Sequence, residues 1–144
     1  MKKIIIFLNA IILLISCDAN NTAYSHKIIT VINKTNKTIY VVGSYQYPNT
    51  DAYKNTPDPL KTGFTKVLLN ESTKNVLPSF GTSYESIYEY EIPSGILMVY
   101  IFDGPTLETE GWDYIKEHNL VLKRYDLTLK DLKNMNWTIA YDGL

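Results

Sequence analysis

Apolar and polar positions divide the chain into short segments, most of them with the pattern of β-strands. An apolar run at residues 4–15, broken only by Asn9, comes first. Further on, runs at 28–32 and 38–42 that are rich in strand-forming residues flank a polar, Asn-bearing break, and this pattern predicts a β-hairpin. Residues 96–102 are apolar at every position, as in a strand that is covered on both faces. We expect that strand at the centre of the sheet.

Two segments between these strands are harder to assign. Residues 44–65 carry several prolines together with many asparagines and threonines, which excludes a central strand. Residues 84–92 fit two patterns, because Tyr84, Ile87 and Tyr88 lie at helical spacing while the tyrosines and glutamates from Tyr88 onward alternate. We favour a strand for the second half of this segment.

The last third predicts two short helices between strands. Thr109 is the expected N-cap of the first helix, Trp112 and Ile115 share its apolar face, and Asn119 is its expected end. Thr128 begins the second helix, with an acid three residues later as in a capping box. The remaining short strands are expected at 66–69, 120–127 and 137–141.

The predicted fold class is mainly β, an antiparallel, two-layer, β-sandwich-like domain of about seven strands with two short helices near the C-terminus. The predicted organisation has three parts. We expect residues 1–16 to be a lipoprotein signal peptide, because they carry two lysines before the apolar run and end directly before the sole cysteine, Cys17. Residues 17–26 are then a lipidated N-terminus and flexible tether, and residues 27–144 are a single β-rich domain.

The N-terminal apolar run has the organisation of a secretory signal. Lys2 and Lys3 precede it, and as a helix it would span about 18 Å, well short of the ~30 Å hydrocarbon core of a bilayer. It ends in Leu14-Ile15-Ser16-Cys17, which resembles a bacterial lipobox, although a small residue is more usual where Ile15 stands. Cys17 is therefore the predicted lipidation site, and its acyl chains would hold the protein on a membrane without spanning it.

The amino-acid composition of the chain argues against several classes of function. Lysine and arginine total 14 against 15 aspartates and glutamates, so no strong positive field attracts nucleic acid. The single cysteine excludes an intrachain disulfide and any multi-cysteine metal site. We expect no cofactor and no metal.

The C-terminal part resembles a known family. The segments Trp112-Asp113, 121–132 and Asn136-Trp137-Thr138-Ile139 are similar to those of a family of small, uncharacterised lipoproteins from Bacteroidetes. The resemblance covers about residues 98–141, and more loosely the region near Asn33 and residues 47–50. It implies a cell-envelope location, with the outer membrane favoured over the inner, and it implies no activity, ligand or catalytic residue.

Catalysis would need titratable groups that converge, and the sequence gives little sign of them. His26 and His118 are the only histidines, at the tether end and at a helix end, and we expect exposed or capping roles for both. Asp103, Asp113 and Asp126 fall at element ends, where aspartates usually cap or turn the chain. A hydrolase built from acids such as Asp103 and Asp126 is the least favoured hypothesis, and no catalytic residue is assigned.

Two constellations remain as candidates. Tyr45, Tyr47 and Tyr53 lie in or beside the proline- and asparagine-rich loop, where aromatic rings suit a glycan or peptide ligand, although buried structural tyrosines are the favoured interpretation. Arg124 and Asp126 fall on one face of a predicted strand and form a candidate structural ion pair, which would be costly to break if that face is buried.

Three hypotheses follow in order. The first is a non-enzymatic, lipid-anchored envelope protein that serves as an interaction or accessory module, with another envelope protein or a glycan as partner. The second is a glycan- or peptide-binding lipoprotein that uses the loop around residues 45–53. The third is the hydrolase.

Overall fold

The computed structural model of the chain describes residues 26–62, 65–73, 77 and 81–144. The predicted signal peptide, Cys17 and the tether up to residue 25 lie outside these residues. In the part of the chain that is described, no helix is long and apolar enough to cross a bilayer.

Seven strands and four helices form in the described residues, together with one turn of 3-10 helix at Ala52–Asn55. The strands are β1 (Thr30–Asn33), β2 (Ile39–Ser44), β3 (Lys66–Val67), β4 (Ser72–Thr73), β5 (Leu97–Asp103), β6 (Lys123–Leu127) and β7 (Thr138–Tyr141). The helices are α1 (Tyr84–Tyr90), α2 (Gly104–Glu110), α3 (Trp112–His118) and α4 (Leu129–Asn134).

The strands form two sheets in a mixed α/β fold. One sheet has the order β3-β2-β5-β6 and is antiparallel throughout, and the other has the order β4-β1-β7. Seven strands were expected, but the purely antiparallel arrangement is wrong because β1 and β7 pair in parallel. Both strands enter the sheet from the same end, where the Thr30 amide donates to the Trp137 carbonyl over 2.9 Å. The expectation of two helices is also wrong, because four form in the described residues.

Strand β5 lies at the centre of the four-stranded sheet, as its unbroken apolar run predicts. Val99 and Ile101 face a first core, which contains residues of both sheets and of α1 and α4. Met98, Tyr100 and Phe102 face a second core, formed with the 3-10 turn, α2 and α3. The central sheet is therefore covered on both faces.

The predicted hairpin between β1 and β2 is wrong, because the two strands belong to different sheets. Val31 and Val41 both point into the first core, so the chain turns a corner from one sheet to the other instead of folding back on itself. Asn33 is fully buried at this corner, and its amide nitrogen donates to the carbonyls of Lys37 and Leu68 over 2.7 and 3.1 Å.

The predicted strand in the second half of 84–92 is also wrong, because that segment is helix α1. The Ser83 hydroxyl accepts a hydrogen bond from the Ser86 amide over 3.2 Å and caps the helix. Tyr84, Ile87 and Tyr88 are buried, as the helical pattern requires. Burial of this face outweighs the β-like alternation of the residues that follow.

The sequence predicts no helix over Gly104–Glu110, where α2 forms. Asp103 caps it through the Thr106 amide, and a proline in the first turn suits a helix start, so Thr109 lies inside a helix and is not a cap. Two other predicted helix boundaries in this region are confirmed. Asn119 ends α3 in the left-handed conformation, and Thr128 forms a capping box with Asp131.

Candidate functional site

A groove of about 690 Å³ opens at the end of β2. One side is formed by β2 and the start of β5, and the other by the loop that follows the 3-10 turn. Residues 63–64, 74–76 and 78–80, which adjoin parts of this lining in sequence, lie outside the described residues. The described residues that line the groove are Val41, Val42, Gly43, Ser44, Tyr45, Gln46, Asn55, Thr56, Pro57, Thr62, Thr65, Leu77, Tyr84 and Leu97.

The three tyrosines proposed as a ligand platform do not come together. Tyr53 is 2% exposed and packs against Tyr100 and Phe102, with ring centroids 5.1 and 5.5 Å away. Its hydroxyl donates to the Asn119 side chain over 3.3 Å, which satisfies the one polar group that burial would otherwise isolate. Tyr47 is exposed and does not line the groove. Of the three tyrosines, Tyr45 alone reaches the groove.

Tyr45 places a protonated hydroxyl at the groove. Partial burial and the negative charge of Glu91 together raise the pKa of Tyr45 above its ordinary value. Tyr84, whose hydroxyl donates to the Leu77 carbonyl, has a pKa that is raised by burial and further by its tyrosine neighbours. Both phenols are therefore neutral at pH 7.

The acids proposed for hydrolysis lie apart. Asp103 ends β5, whereas Asp126 pairs with Met98 near the other end of that strand, about 17 Å away at the usual rise per residue. A glycosidase needs its two carboxyl groups about 5 to 9.5 Å apart. Asp113 is exposed and lies 2.7 Å from the Lys116 ammonium. Within the described ranges, no three His, Cys, Asp or Glu side chains are placed to hold a metal ion.

Asp103 serves as a cap. Its carboxylate accepts hydrogen bonds from the Thr106 amide over 3.0 Å and from the Thr106 hydroxyl over 2.8 Å. Desolvation acts to raise the pKa of Asp103, but the bonds to Thr106 and to Lys37 outweigh it and leave that pKa below its ordinary value. A carboxylate held this way is ionised and structural, and it is not poised to donate a proton.

Arg124 and Asp126 meet in a bidentate pair on β6. Arg124 Nε lies 2.8 Å from Asp126 Oδ1, and Nη2 lies 3.0 Å from Oδ2. The side chains are 34% and 33% exposed, so water screens the pair. The sequence predicted a large cost for breaking this pair only if its face of the strand is buried, and that face is not buried.

We expect Arg124→Ala to lower the free energy of unfolding by about 0.5 kcal/mol, because exposed ion pairs contribute little to stability. Urea denaturation measures this change, with Lys130→Ala as a control at another exposed cation. A loss of about 3 kcal/mol or more would contradict this picture and indicate a desolvated pair.

His26 is packed into the domain, although the sequence suggests an exposed tether end. Its ring stacks on Trp137 at 4.1 Å, and its Nδ1 lies 2.6 Å from Glu85 Oε1. The His26 carbonyl also accepts a hydrogen bond from the Tyr84 amide over 2.8 Å. These partners are far away in the sequence, so no local pattern could have revealed the contact. His118, in contrast, is exposed at the end of α3, in line with the expectation for it.

The His26–Glu85 contact predicts a stability loss in acid. Desolvation acts to raise the pKa of Glu85, but its hydrogen bonds with His26 outweigh this and lower it. A carboxylate with a lowered folded-state pKa stabilises the fold above its ordinary pKa of about 4.3 and loses that contribution as the pH falls through the folded value. We expect Glu85→Gln to make the free energy of unfolding less steep against pH below about 4.5.

Denaturant titrations across this pH range measure the slope. Glu117→Gln is the matched control, because Glu117 is exposed on α3 and should leave the slope unchanged. An equal slope in Glu85→Gln and the unmodified protein would remove the His26–Glu85 contact from the account.

No protein-family model, curated protein or solved structure matches the chain. The similarity of residues 98–141 to Bacteroidetes lipoproteins therefore stays an expectation from the sequence.

Proposed function

We propose that the protein is a lipid-anchored cell-envelope protein that acts as a non-enzymatic interaction module. The observation that carries the proposal is the position of the sole cysteine, Cys17, directly after a short apolar run and Leu14-Ile15-Ser16. Residues 1–16 would be removed, and the acylated Cys17 would become the new N-terminus. The outer membrane is the favoured destination, because the similar lipoproteins of Bacteroidetes are often found there.

The fold supports an anchored module in two ways. His26 is packed into the domain, and the eight residues 18–25 between it and Cys17 can place the domain at most about 28 Å from the anchor. The first core contains residues of both sheets, and on this basis we propose a sandwich-like arrangement that can fold without the membrane. The separation of Asp103 from Asp126 favours binding over hydrolysis.

Replacement of Cys17 tests the anchor. Cys17→Ser should lose the modified N-terminus and should no longer partition into the detergent phase as an acylated protein does, because the acyl chains supply the membrane affinity. Ser16→Ala is the control, since a small residue is kept directly before the cysteine. If Cys17→Ser partitioned like the unmodified protein, the anchor would not reside at Cys17.

The candidate partner of the module is another envelope protein or a glycan. Crosslinking in native envelopes followed by recovery of the tagged full chain identifies it. One protein recovered repeatedly would support a protein partner, recovery of polysaccharide alone would support a glycan partner, and recovery of neither would contradict the interaction module.

A ligand-binding lipoprotein is the second candidate, and the groove beside Tyr45 is the observation that favours it. Of the three tyrosines expected to contact a glycan or peptide, Tyr45 alone lines the groove, because Tyr53 belongs to the second core. Thermal unfolding with separate glycan, peptide and lipid fractions of the envelope tests this candidate. Stabilisation by any one fraction would support ligand binding and name its class, and no stabilisation by any fraction would contradict it.

A further inference from the structure

Strand β6 forms an open edge of the four-stranded sheet. It pairs with β5 on one side, and no strand pairs with its other side in the part of the chain that the structure describes. Lys123, Arg124 and Asp126 of this strand are exposed. An exposed edge carries backbone donors and acceptors that can pair with a further strand.

The register of β6 fixes which of its backbone groups face outward. The Ile101 carbonyl accepts a hydrogen bond from the Leu122 amide over 2.9 Å, so the backbone groups of Ile101 are directed toward β6. Ile101 pairs with Lys123, and successive residues of a strand direct these groups to opposite sides. The N–H and C=O groups of Arg124 and Asp126 therefore face the open edge. In the described residues, these groups have no hydrogen-bond partner.

The sequence of β6 is complementary to itself about Tyr125. When two copies pair antiparallel with Tyr125 opposite Tyr125, Arg124 of each copy lies opposite Asp126 of the other. These are the residues whose backbone groups face outward, so each such pair can exchange two hydrogen bonds. The two neighbouring registers with the same alternation place Arg124 against Arg124 or Asp126 against Asp126, and like charges directly opposite are destabilising. Charge therefore selects the register about Tyr125.

The side chains keep groups available for this contact. Arg124 holds Asp126 of its own strand through Nε and Nη2, and its Nη1 makes no hydrogen bond within the described ranges. The Cβ atoms of directly opposite residues lie about 5 Å apart, which a guanidinium and a carboxylate can span. Each guanidinium would then lie between two carboxylates, in a cluster of two cations and two anions.

The other edges of the two sheets are less open. Strands β3 and β4 are only two residues long. In β7, the Tyr141 carbonyl accepts a hydrogen bond from the Lys34 amide next to β1, so the preceding residue, Ala140, directs its backbone groups outward. The Ala140 carbonyl already accepts a hydrogen bond from the Tyr125 hydroxyl over 3.3 Å. These edges therefore offer less to a second chain than β6 does.

We propose that β6 is a self-association edge, at which a second copy of the chain adds antiparallel about Tyr125. The four-stranded sheets of the two copies would form one continuous sheet. Five residues from each copy are far fewer than the about 20 to 30 of a stable interface, so the dimer is transient in dilute solution. This inference goes beyond the envelope partner proposed above and does not depend on the anchor at Cys17.

Complementary charge variants test the edge. Arg124→Asp places carboxylates at both positions and Asp126→Arg places guanidinium groups at both, so each variant should bind its own copies about tenfold more weakly than the unmodified chain does. A mixture of the two variants restores opposite charges and should associate like the unmodified chain. Sedimentation equilibrium of the full-length chain in detergent measures the dissociation constants. Lys116→Asp is the matched control, because it makes the same charge change at the exposed Asp113–Lys116 pair of α3.

A disulfide trap tests the register. Residues that face each other without exchanging hydrogen bonds have Cα atoms about 4.5 Å apart, which a disulfide can bridge. Tyr125→Cys in a Cys17→Ser background should therefore crosslink to a second copy when copper phenanthroline is the oxidant. Lys123→Cys in the same background is the control, because Lys123 is exposed but would lie about 14 Å from Lys123 of the second copy.

The outcomes are decisive even if Tyr125→Cys fails to fold, because the charge variants leave Tyr125 in place. Association of Arg124→Asp as strong as that of the unmodified chain, or a mixture as weak as its separate variants, would overturn the proposal. So would a Lys123→Cys crosslink equal to that of a folded Tyr125→Cys. Retained association with an unmodified N-terminus would contradict the anchor alone, and lost association of an acylated chain would contradict the edge alone.

Discussion

Replacing Asn33 by alanine is expected to lower the free energy of unfolding by about 3 kcal/mol, an unusual cost for one small polar side chain. Asn33 is fully buried where the chain passes between the two sheets. Its amide nitrogen lies 2.7, 3.3 and 3.1 Å from the carbonyls of Lys37, Val67 and Leu68, and its oxygen accepts two hydrogen bonds from Thr35. Alanine leaves these groups without their partner.

Urea denaturation measures the loss, and two further variants show its cause. Asn36→Ala removes an exposed asparagine of the same corner and should change stability by less than about 0.5 kcal/mol. Asn33→Asp keeps the shape but turns an oxygen toward the three carbonyls, so it should destabilise at least as much as alanine. A mild effect of both Asn33 variants would show that the corner does not depend on this side chain.

Gly104→Ala is the second substitution with a large expected effect. We expect it to lower the free energy of unfolding, although alanine has the higher helix propensity. Alanine favours a helix over glycine by about 1 kcal/mol, and Gly104 is the first residue of α2. A Cβ at this position would lie only 2.5 Å from the Thr38 carbonyl oxygen and 2.9 Å from its carbon. Because backbone atoms cannot move aside as a side chain can, we expect a net loss of about 3 kcal/mol.

Gly43→Ala is the matched control for this clash. Its Cβ would come within 2.9 Å of Leu77 Cδ2, the end of a flexible side chain, so the neighbour can shift and the cost should be below about 1 kcal/mol. Thermal or chemical unfolding of both variants gives the comparison. Stability of Gly104→Ala equal to or above that of the unmodified protein would contradict the packing of α2 against the corner.

The sequence predicts strands better than it predicts how strands pair. The apolar run in β5 indicates burial on both faces, and the structure confirms it. The runs in β1 and β2 indicate strands as well, but a hairpin and a corner between two sheets have the same local pattern. The difference lies in Asn33, whose partners at Val67 and Leu68 are distant in the sequence.

The helix errors have a similar origin. The alternating tyrosines and glutamates of α1 suit a strand, yet Ser83 supplies the cap that favours a helix. At α2, Asp103 and the Gly-Pro that follows end a strand and also begin a helix, because a cap and a turn use the same residues. A single sequence does not separate these two roles.

The candidate site was predictable in part. The composition of the loop around residues 45–53 points to tyrosines that can contact a ligand, but it does not show which rings are buried. Tyr53 enters the second core through contacts with Tyr100 and Phe102, whereas Tyr45 lines the groove. The groove joins β2, β5 and α1, whose proximity arises only in the folded chain.

The attachment of the protein to a membrane through Cys17 is the claim on which its cellular role depends. Mass spectrometry of the N-terminal peptide of the native protein tests it most directly. We predict a peptide that begins at Cys17 and carries a diacylglyceryl group on its sulfur. An N-terminus elsewhere, or a free thiol at Cys17, would contradict the account.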